Sequence, residues 1–334
     1  MAAIQFQFHG SLIVIEADEP QWLAHYDDYF RAYAPVVSLS TTGHPTDALR
    51  LELRAAHWAR RPAAAQLEKL AQTGIVSLWR SVTEPEALWL YAGDTTFAIH
   101  PQAGLAIGYL DAQALAMPAI LTNTYSLFAL LLLLRWRGVY HLHAAAAQLP
   151  DGRLCWITGA QRSGKTTLVM ALGLAGWKPL ADDSLLLTWR DEQVFWQPMR
   201  KAFHLGNDVL ARWQARLNGL STRPRYLDRH SVAALEFFQT QDLAAQSYSS
   251  VDLVLFPQVQ SVSTTHVESL TKSEALRRLA EQSTFFALWK DQTARQWQAL
   301  LKATATARCF ALVTGEDVLA APERVAALFD LTKE

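Results

Sequence analysis

The octet Gly159-Ala160-Gln161-Arg162-Ser163-Gly164-Lys165-Thr166 satisfies the pattern G-x-x-x-x-G-K-[ST] in full, and Thr167 follows it. The flanks constrain the fold more than the octet does. Leu154 to Thr158 is an apolar run of strand length, and Thr167 to Leu174 reads as a helix, so the octet is the turn of a strand–loop–helix unit. In such a unit the backbone N–H groups of residues 159–167 can wrap a phosphate while the helix N-terminus adds partial positive charge. Lys165 would neutralise β- and γ-phosphate oxygens, and the Thr166 hydroxyl would ligate Mg²⁺. The competing reading is a glycine-rich turn with no ligand. The strand before and the helix after weigh against it.

Composition narrows what such a loop can serve. At 334 residues the chain is long enough for one large domain or two ordinary ones. A hydrophobic fraction of 51% with 18% charged residues describes a packed protein and excludes extended disorder. Lys and Arg total 30 against 31 Asp and Glu, so no global field draws the chain to nucleic acid or to an anionic membrane. Cys155 and Cys309 each sit in an apolar, strand-like run and read as buried free thiols, which points to a reducing cytoplasm. Met1 to Phe8 lacks the basic and apolar regions of a secretory signal. Leu127 to Leu134 is too short an apolar run to span a bilayer and reads as a buried helix. Neither a membrane nor a nucleic acid is therefore an expected partner.

The first third alternates short strands with turns: 4–8 and 11–15 around His9-Gly10, a hairpin, then 49–53, 75–79, 87–91, 95–99 and 105–109. Helical spacing covers 20–33 and 63–71. A long helix is expected over 118–136, stopped by Gly138, then a strand over 140–146 and the turn Pro150-Asp151-Gly152. Strands are expected over 177–180, 184–189, 251–256 (ended by Pro257) and 310–313. Thr271-Lys272-Ser273-Glu274 reads as a capping box opening a helix to about 280, and 322–329 as a closing helix. The polar stretch 191–230 is the least legible. The fold class is α/β, with a small mixed α/β domain over 1–117 and a loop-bearing domain over 118–334.

A phosphate loop says only that a nucleotide binds; the acids after it say what is done with it. Asp182-Asp183 follows the loop by one helix and a turn, where a chain of this topology returns to the phosphate edge of the sheet. Successive side chains at a strand alternate, so one carboxylate can reach Mg²⁺ while the other faces an incoming hydroxyl. Either Asp182 or Asp183 can be the base, with Asp182 the favoured one and Asp183 then the metal ligand beside Thr166. A solvated turn with a capping aspartate is the bland alternative. In Tyr140-His141-Leu142-His143, period two puts both histidines on one face of a strand immediately upstream of the loop strand; as a parallel neighbour that strand would bring one of them to the γ-phosphate edge, and His143 is the candidate. A structural histidine is an equal reading for His143 and the better one for His141. Among Arg212, Arg216, Arg223, Arg225 and Arg229, Arg229 is the preferred source of a guanidinium for transition-state charge, against the ordinary reading of a solvated charge run. The 12 tryptophans are evenly spread, as core and interface packing would have them.

His143, the loop, Gly176 and Leu180-Ala181-Asp182-Asp183 together resemble the catalytic domain of HPr serine kinase/phosphorylase and its relatives, including kinases acting on peptides and on free serine. The likeness is tight over 141–188 and looser over 253–257 and the helix after Thr271. It implies a P-loop kinase fold related to phosphoenolpyruvate carboxykinase, ATP and Mg²⁺ as cofactors, a serine hydroxyl as acceptor, and a homo-oligomer. It also implies phosphate and metal roles for Lys165 and Thr166, base and metal roles for Asp182 and Asp183, and an active-site position for His143. Two departures stand out. Arg162 occupies the place of an additional loop glycine, and the Glu-x-Arg-Gly stretch that follows the aspartates in the family is missing, which argues against HPr as substrate and against a back-reaction. The sequence reading is thus an ATP/Mg²⁺-dependent kinase acting on a serine-bearing peptide, protein or small molecule. Two readings compete with it. One is a nucleotide-dependent interaction module with no phosphotransfer; the other is a nucleotide hydrolase, for which no water-positioning residue is identified.

Overall fold

The computed structural model describes residues 2–8, 10–31, 47–56, 62–73, 76–190, 192–199, 202–224 and 228–329. The chain divides into two compact units, Met1–Val139 and Tyr140–Glu334.

In the first unit, β1 (Ala2–Phe8), β2 (Ser11–Ala17), β3 (Leu49–Ala55), β4 (Leu67–Thr73), β5 (Val76–Ser81), β6 (Leu88–Ala92), β7 (Thr95–His100) and β8 (Leu105–Leu110) form one mixed sheet in the order β1-β2-β3-β8-β7-β6-β5-β4. The β1–β2 hairpin pairs Phe8 with Ser11 across a left-handed Gly10, while His9 lies outside the described residues. The helix expected over 20–33 is seen as Pro20–Arg31, and 32–33 lie outside the described residues. The helix expected over 63–71 is not formed. A 3-10 turn at Ala64–Gln66 leads instead into β4, an edge strand whose hydrogen bonds to β5 override a weak helical spacing.

The long apolar helix is present from Pro118, with a π stretch at Leu121–Ser126 and a regular α segment at Leu127–Trp136. Its 19 residues are long and apolar enough to cross a bilayer, and 67% of its most apolar window is buried inside the fold. The α segment packs on β3, β7 and β8, and Ser126 meets the buried Tyr26 hydroxyl at 2.6 Å. The boundary expected at 117/118 therefore falls at 139/140, because this helix buries its apolar surface in the first unit.

The second unit is built on six strands: β10 (Ala144–Gln148), β11 (Leu154–Thr158), β12 (Lys178–Ala181), β18 (Leu253–Val259), β19 (His266–Ser269) and β20 (Arg308–Thr314), in the order β12-β10-β11-β18-β20-β19. Between them in sequence lie β13 (Leu185–Arg190), β14 (Gln193–Pro198), β15 (Phe203–Gly206), β16 (Thr222–Pro224) and β17 (Arg229–Val232), and before them β9 (Val139–Leu142). These form two three-stranded sheets, β14-β13-β9 and β15-β17-β16, so the described part of the stretch 191–230 carries strands: β14 hairpins onto β13, and β15 and β16 both pair with β17.

The strand expected over 140–146 breaks at His143. Ala144–Gln148 folds back on the loop strand as an antiparallel hairpin through Pro150-Asp151-Gly152, not as a parallel neighbour, and pairs Ala144 with Thr158. Both β10–β11 and β10–β12 are antiparallel, so β11 and β12 run the same way with β10 between them. β18 and β20 are parallel to β11. Four strands thus end on one edge.

Pro257 does not stop β18, which continues to Val259. On one side Pro257 opposes Leu312 of β20, while pairing with β11 ends at Leu255, so the missing N–H leaves no gap in that ladder.

Period-two alternation sends the sheet's side chains into two cores. Ala145, Cys155, Ile157, Leu253 and Leu255 pack with Leu168, Val169 and Leu172 of the helix Lys165–Leu174. Ala146, Trp156, Val254 and Phe256 pack with Leu276 and Leu279 of the helix Lys272–Glu281 and with Ala299 and Leu300 of the helix Lys290–Ala303. Burying each large aliphatic side chain contributes about 1.5–3 kcal/mol, so the loop is anchored from both ends. Both cysteines are free and buried. Trp156 meets Trp196 edge-on at 5.5 Å, and Trp196 stacks on Tyr248 at 4.7 Å. Thr271 caps the helix it precedes by accepting from the Glu274 N–H, but the Glu274 carboxylate turns to Arg277 and Arg278 and leaves the capping box half made.

Candidate functional site

The octet is the turn between β11 and the helix Lys165–Leu174. Gly164 precedes that helix with φ +91°, and no side chain caps the helix N-terminus. The helix's first amides are therefore left for an anion. Two glycines hollow the turn: a Cβ on Gly159 would stand 2.9 Å from the Ser163 hydroxyl, and one on Gly164 would stand 2.8 Å from Val259 Cγ2. The Ser163 hydroxyl is buried and has no hydrogen-bond partner among the described residues. An uncapped helix start, a cradle only glycine permits and an orphaned hydroxyl fit a phosphate chain. Arg162 is exposed with φ +66°, a conformation that the additional glycine of the resembled family would adopt without strain. Ala160 and Gln161 are exposed at the tip.

Lys165 is only 7% exposed, and its Nζ donates to the carbonyls of Gly159 at 2.7 Å and Ala160 at 3.0 Å. Burial lowers its pKa, and the charges of Asp182 and Asp183 oppose that shift. The ammonium is thus held inside its own loop, facing the aspartates.

Asp182 and Asp183 follow the last residue of β12 on the same edge as the loop. The helix Lys165–Leu174 carries Thr166 to them: its hydroxyl donates to Asp182 Oδ1 at 2.5 Å. Asp182 Oδ2 accepts from the His204 backbone N–H at 3.2 Å. Only 2% exposed, Asp182 has its pKa pushed up to about 7, first by burial and then by the charge of Asp183. Asp183 is half-buried and accepts from the Ser184 hydroxyl at 2.9 Å. Of the two divisions left open, these contacts favour Asp182 beside the metal over Asp182 as base. Thr166, the loop's metal-ligand type, bonds Asp182, while Asp183 is the more open carboxylate.

His143 comes to this edge by the hairpin, at the residue before Ala144. Its Nδ1 lies 2.9 Å from the Asp183 carbonyl, and since a carbonyl only accepts, Nδ1 carries the hydrogen. Thr158 Oγ1 donates to the His143 carbonyl at 3.0 Å and ties the histidine to the end of the loop strand. His141 turns elsewhere, to the Thr284 hydroxyl at 2.6 Å.

Arg229 is not brought to the acids. It is exposed at the start of β17 opposite Gly206, two register positions from the His204–Ser231 pair, and among the described residues no side-chain contact joins it to Asp182 or Asp183. Arg216 is paired with Glu323 at 2.7 Å, Arg212 and Arg223 are exposed, and Arg225 lies outside the described residues. His204 and Ser184 complete the acid pair and carry no sequence signal, since one contributes a backbone amide and the other a common hydroxyl. Among the described residues no group of three His, Cys, Asp or Glu side chains forms a metal cage. Thr166 with Asp182 is the oxygen pair that could hold Mg²⁺ alongside phosphate oxygens, as Mg²⁺ at phosphates is usually held.

No protein-family model matches the chain, and no curated protein matches its sequence. Among solved structures it is similar to the Hpr(Ser) kinase/phosphatase from Coxiella burnetii, at 10% identity and a TM-score of 0.29, over 58% of this chain and 92% of that one. At that score the likeness does not bear on activity, which rests on the side chains themselves.

Proposed function

We propose that the unit Tyr140–Glu334 is a P-loop kinase of the HPr kinase-like type that transfers the γ-phosphoryl group of ATP to a hydroxyl, with serine in a peptide, protein or small molecule as acceptor. The observation that carries this reading is the 2.5 Å contact between Thr166 of the loop and Asp182 of the neighbouring strand end, with Asp183 beside it. When bound, Mg²⁺-ATP would supply the phosphoryl group and the charge neutralisation that phosphoryl transfer depends on. Residues 159–167 would hold the phosphates through their amides, and Lys165 would turn from its loop carbonyls to phosphate oxygens. Thr166 and Asp182 would hold the metal, whose charge favours the ionised form of a carboxyl that burial otherwise keeps near neutrality.

Asp183, the more open acid, would accept the acceptor hydroxyl's proton, and His143 would fix that carboxylate's backbone through its bond to the Asp183 carbonyl. Arg229 has no part in this scheme. The protein would work in the cytoplasm, where ATP and Mg²⁺ are held.

The test uses γ-labelled ATP, Mg²⁺ and serine-bearing acceptors with the full chain. Transfer that Lys165→Ala abolishes, and that Asp183→Asn abolishes with ATP binding retained, is the expected result. ATP binding that survives in both variants, with no label transferred by the wild type, would sink the kinase reading in favour of an interaction module.

A further inference from the structure

The position of the acids fixes more than the γ-phosphate. β12, which ends at them, lies on one side of β11, while β18 and β20 lie on the other and end on the same edge. A triphosphate is a linear chain. With its terminal phosphate facing Asp182 and Asp183, its α-phosphate and nucleoside must leave the loop over the ends of β18 and β20.

The residue waiting there is Val259, the last of β18. It is 60% exposed, and among the described residues it is the one large exposed aliphatic side chain at the phosphate loop. Its Cγ2 lies 2.8 Å from where a Gly164 Cβ would be, so it borders the loop directly. The surface around it is built rather than loose. The Gln260 N–H donates to the Thr314 carbonyl at 3.3 Å and the Glu316 N–H to the Val262 carbonyl at 2.9 Å. The Asp317 carboxylate accepts from Thr265 Oγ1 at 2.6 Å, and the Gly315 N–H donates to that hydroxyl at 3.2 Å. Gly315 has no room for a Cβ, which would stand 2.8 Å from the Val262 carbonyl. An aliphatic side chain left in water on a fixed ledge, continuous with a phosphate cradle, has the chemistry of a platform for a flat apolar ring.

We propose that Val259 is the nucleoside platform of this site, covered by the base or ribose of the bound triphosphate. The proposal rests on the phosphate-loop reading, and its test separates the two. The affinities of the full chain for ATP and for inorganic tripolyphosphate, both with Mg²⁺, are measured in the wild type, Val259→Ser, Val259→Ile and Lys165→Ala. Covering the exposed part of a valine side chain is worth a factor of about five in affinity. Val259→Ser is therefore expected to weaken ATP about fivefold and to leave tripolyphosphate within about twofold. Val259→Ile keeps both affinities, and Lys165→Ala loses both ligands. Unchanged ATP affinity in Val259→Ser overturns the platform, and so does an equal loss of both ligands, which would make Val259 a support for Gly164 instead. Failure of the wild type to bind either ligand overturns the phosphate-loop reading itself.

Discussion

Replacing Asp182 with asparagine is expected to stabilise the nucleotide-free protein at alkaline pH while destroying its use of Mg²⁺-nucleotide. Folding lifts the Asp182 pKa from 3.8 to about 7, mainly because the carboxyl is buried. A shift of roughly three units corresponds to about 4 kcal/mol. The folded chain keeps a proton that the unfolded chain has released, so stability declines as pH climbs from about 4 to about 7 and levels off above. Asparagine is neutral throughout and escapes this decline. Its carbonyl can still accept from Thr166, but its amide would face the His204 N–H, a mismatch that costs about 1–2 kcal/mol. The net expectation is a variant more stable than wild type by about 2–3 kcal/mol at pH 8, or about 5–10 °C in Tm for a unit of this size. At pH 5 the two proteins should lie within about 1 kcal/mol of each other. Thermal melts at both pH values, with and without Mg²⁺-ATP, read all of this, and ligand should raise the Tm of the wild type only. An Asp182→Asn protein that melts below wild type at pH 8, or by the same displacement at both pH values, would refute the burial argument.

Three further outcomes follow from particular contacts. Gly164→Ala places a Cβ 2.8 Å from Val259 Cγ2 in a backbone of φ +91°, so it is expected to cost about 1–2 kcal/mol and to weaken ATP binding, read by denaturant unfolding and by titration. Trp196→Ala empties a fully buried site between Trp156 and Tyr248, away from the acids. A loss of about 3–5 kcal/mol in urea unfolding, with ATP still bound by the folded fraction, is the expected pattern. Arg229→Ala removes an exposed guanidinium with no contact to the acids, and phosphotransfer kinetics should change less than about threefold; a drop of a hundredfold would return it to the site.

Much of the candidate site can be read in the sequence because its parts are short-range. An apolar run, a glycine-bearing octet and a helix are contiguous, and the paired acids lie one crossover further on. The route by which His143 arrives is a different matter. Pro150-Asp151-Gly152 is a visible turn, and five residues between strands permit only an antiparallel hairpin; what the local sequence does not mark is the break at His143 that ends the expected strand 140–146 and leaves the histidine at the edge. The division of labour between the acids is equally hidden. Alternation says that Asp182 and Asp183 point apart, but which of them meets Thr166 depends on how the helix Lys165–Leu174 docks against β12, a tertiary contact with no local signal. Pro257 misleads as a strand terminator because its neighbour on one side has already ended, and 63–71 misleads as a helix because an edge strand buries little and leaves a weak pattern. β14 closes on β13 as a local hairpin, whereas β15 and β16 are brought together only through β17, which follows both in the chain, in a polar stretch with little apolar alternation to announce it.

The parallel pairing of β11 with β18 has a consequence for the life of the chain as it leaves the ribosome. Leu154, which opens β11, donates its amide N–H to the Asp252 carboxylate, 98 residues later, and the Pro257 carbonyl and Val259 lie directly against Gly159 and Gly164. A nascent chain that has emerged only through the aspartates would carry every signature residue of the phosphate loop on an unsupported turn. Ligand capture should begin only once β18 has been synthesised and has docked, so cofactor binding would report completion of this unit rather than emergence of its motif.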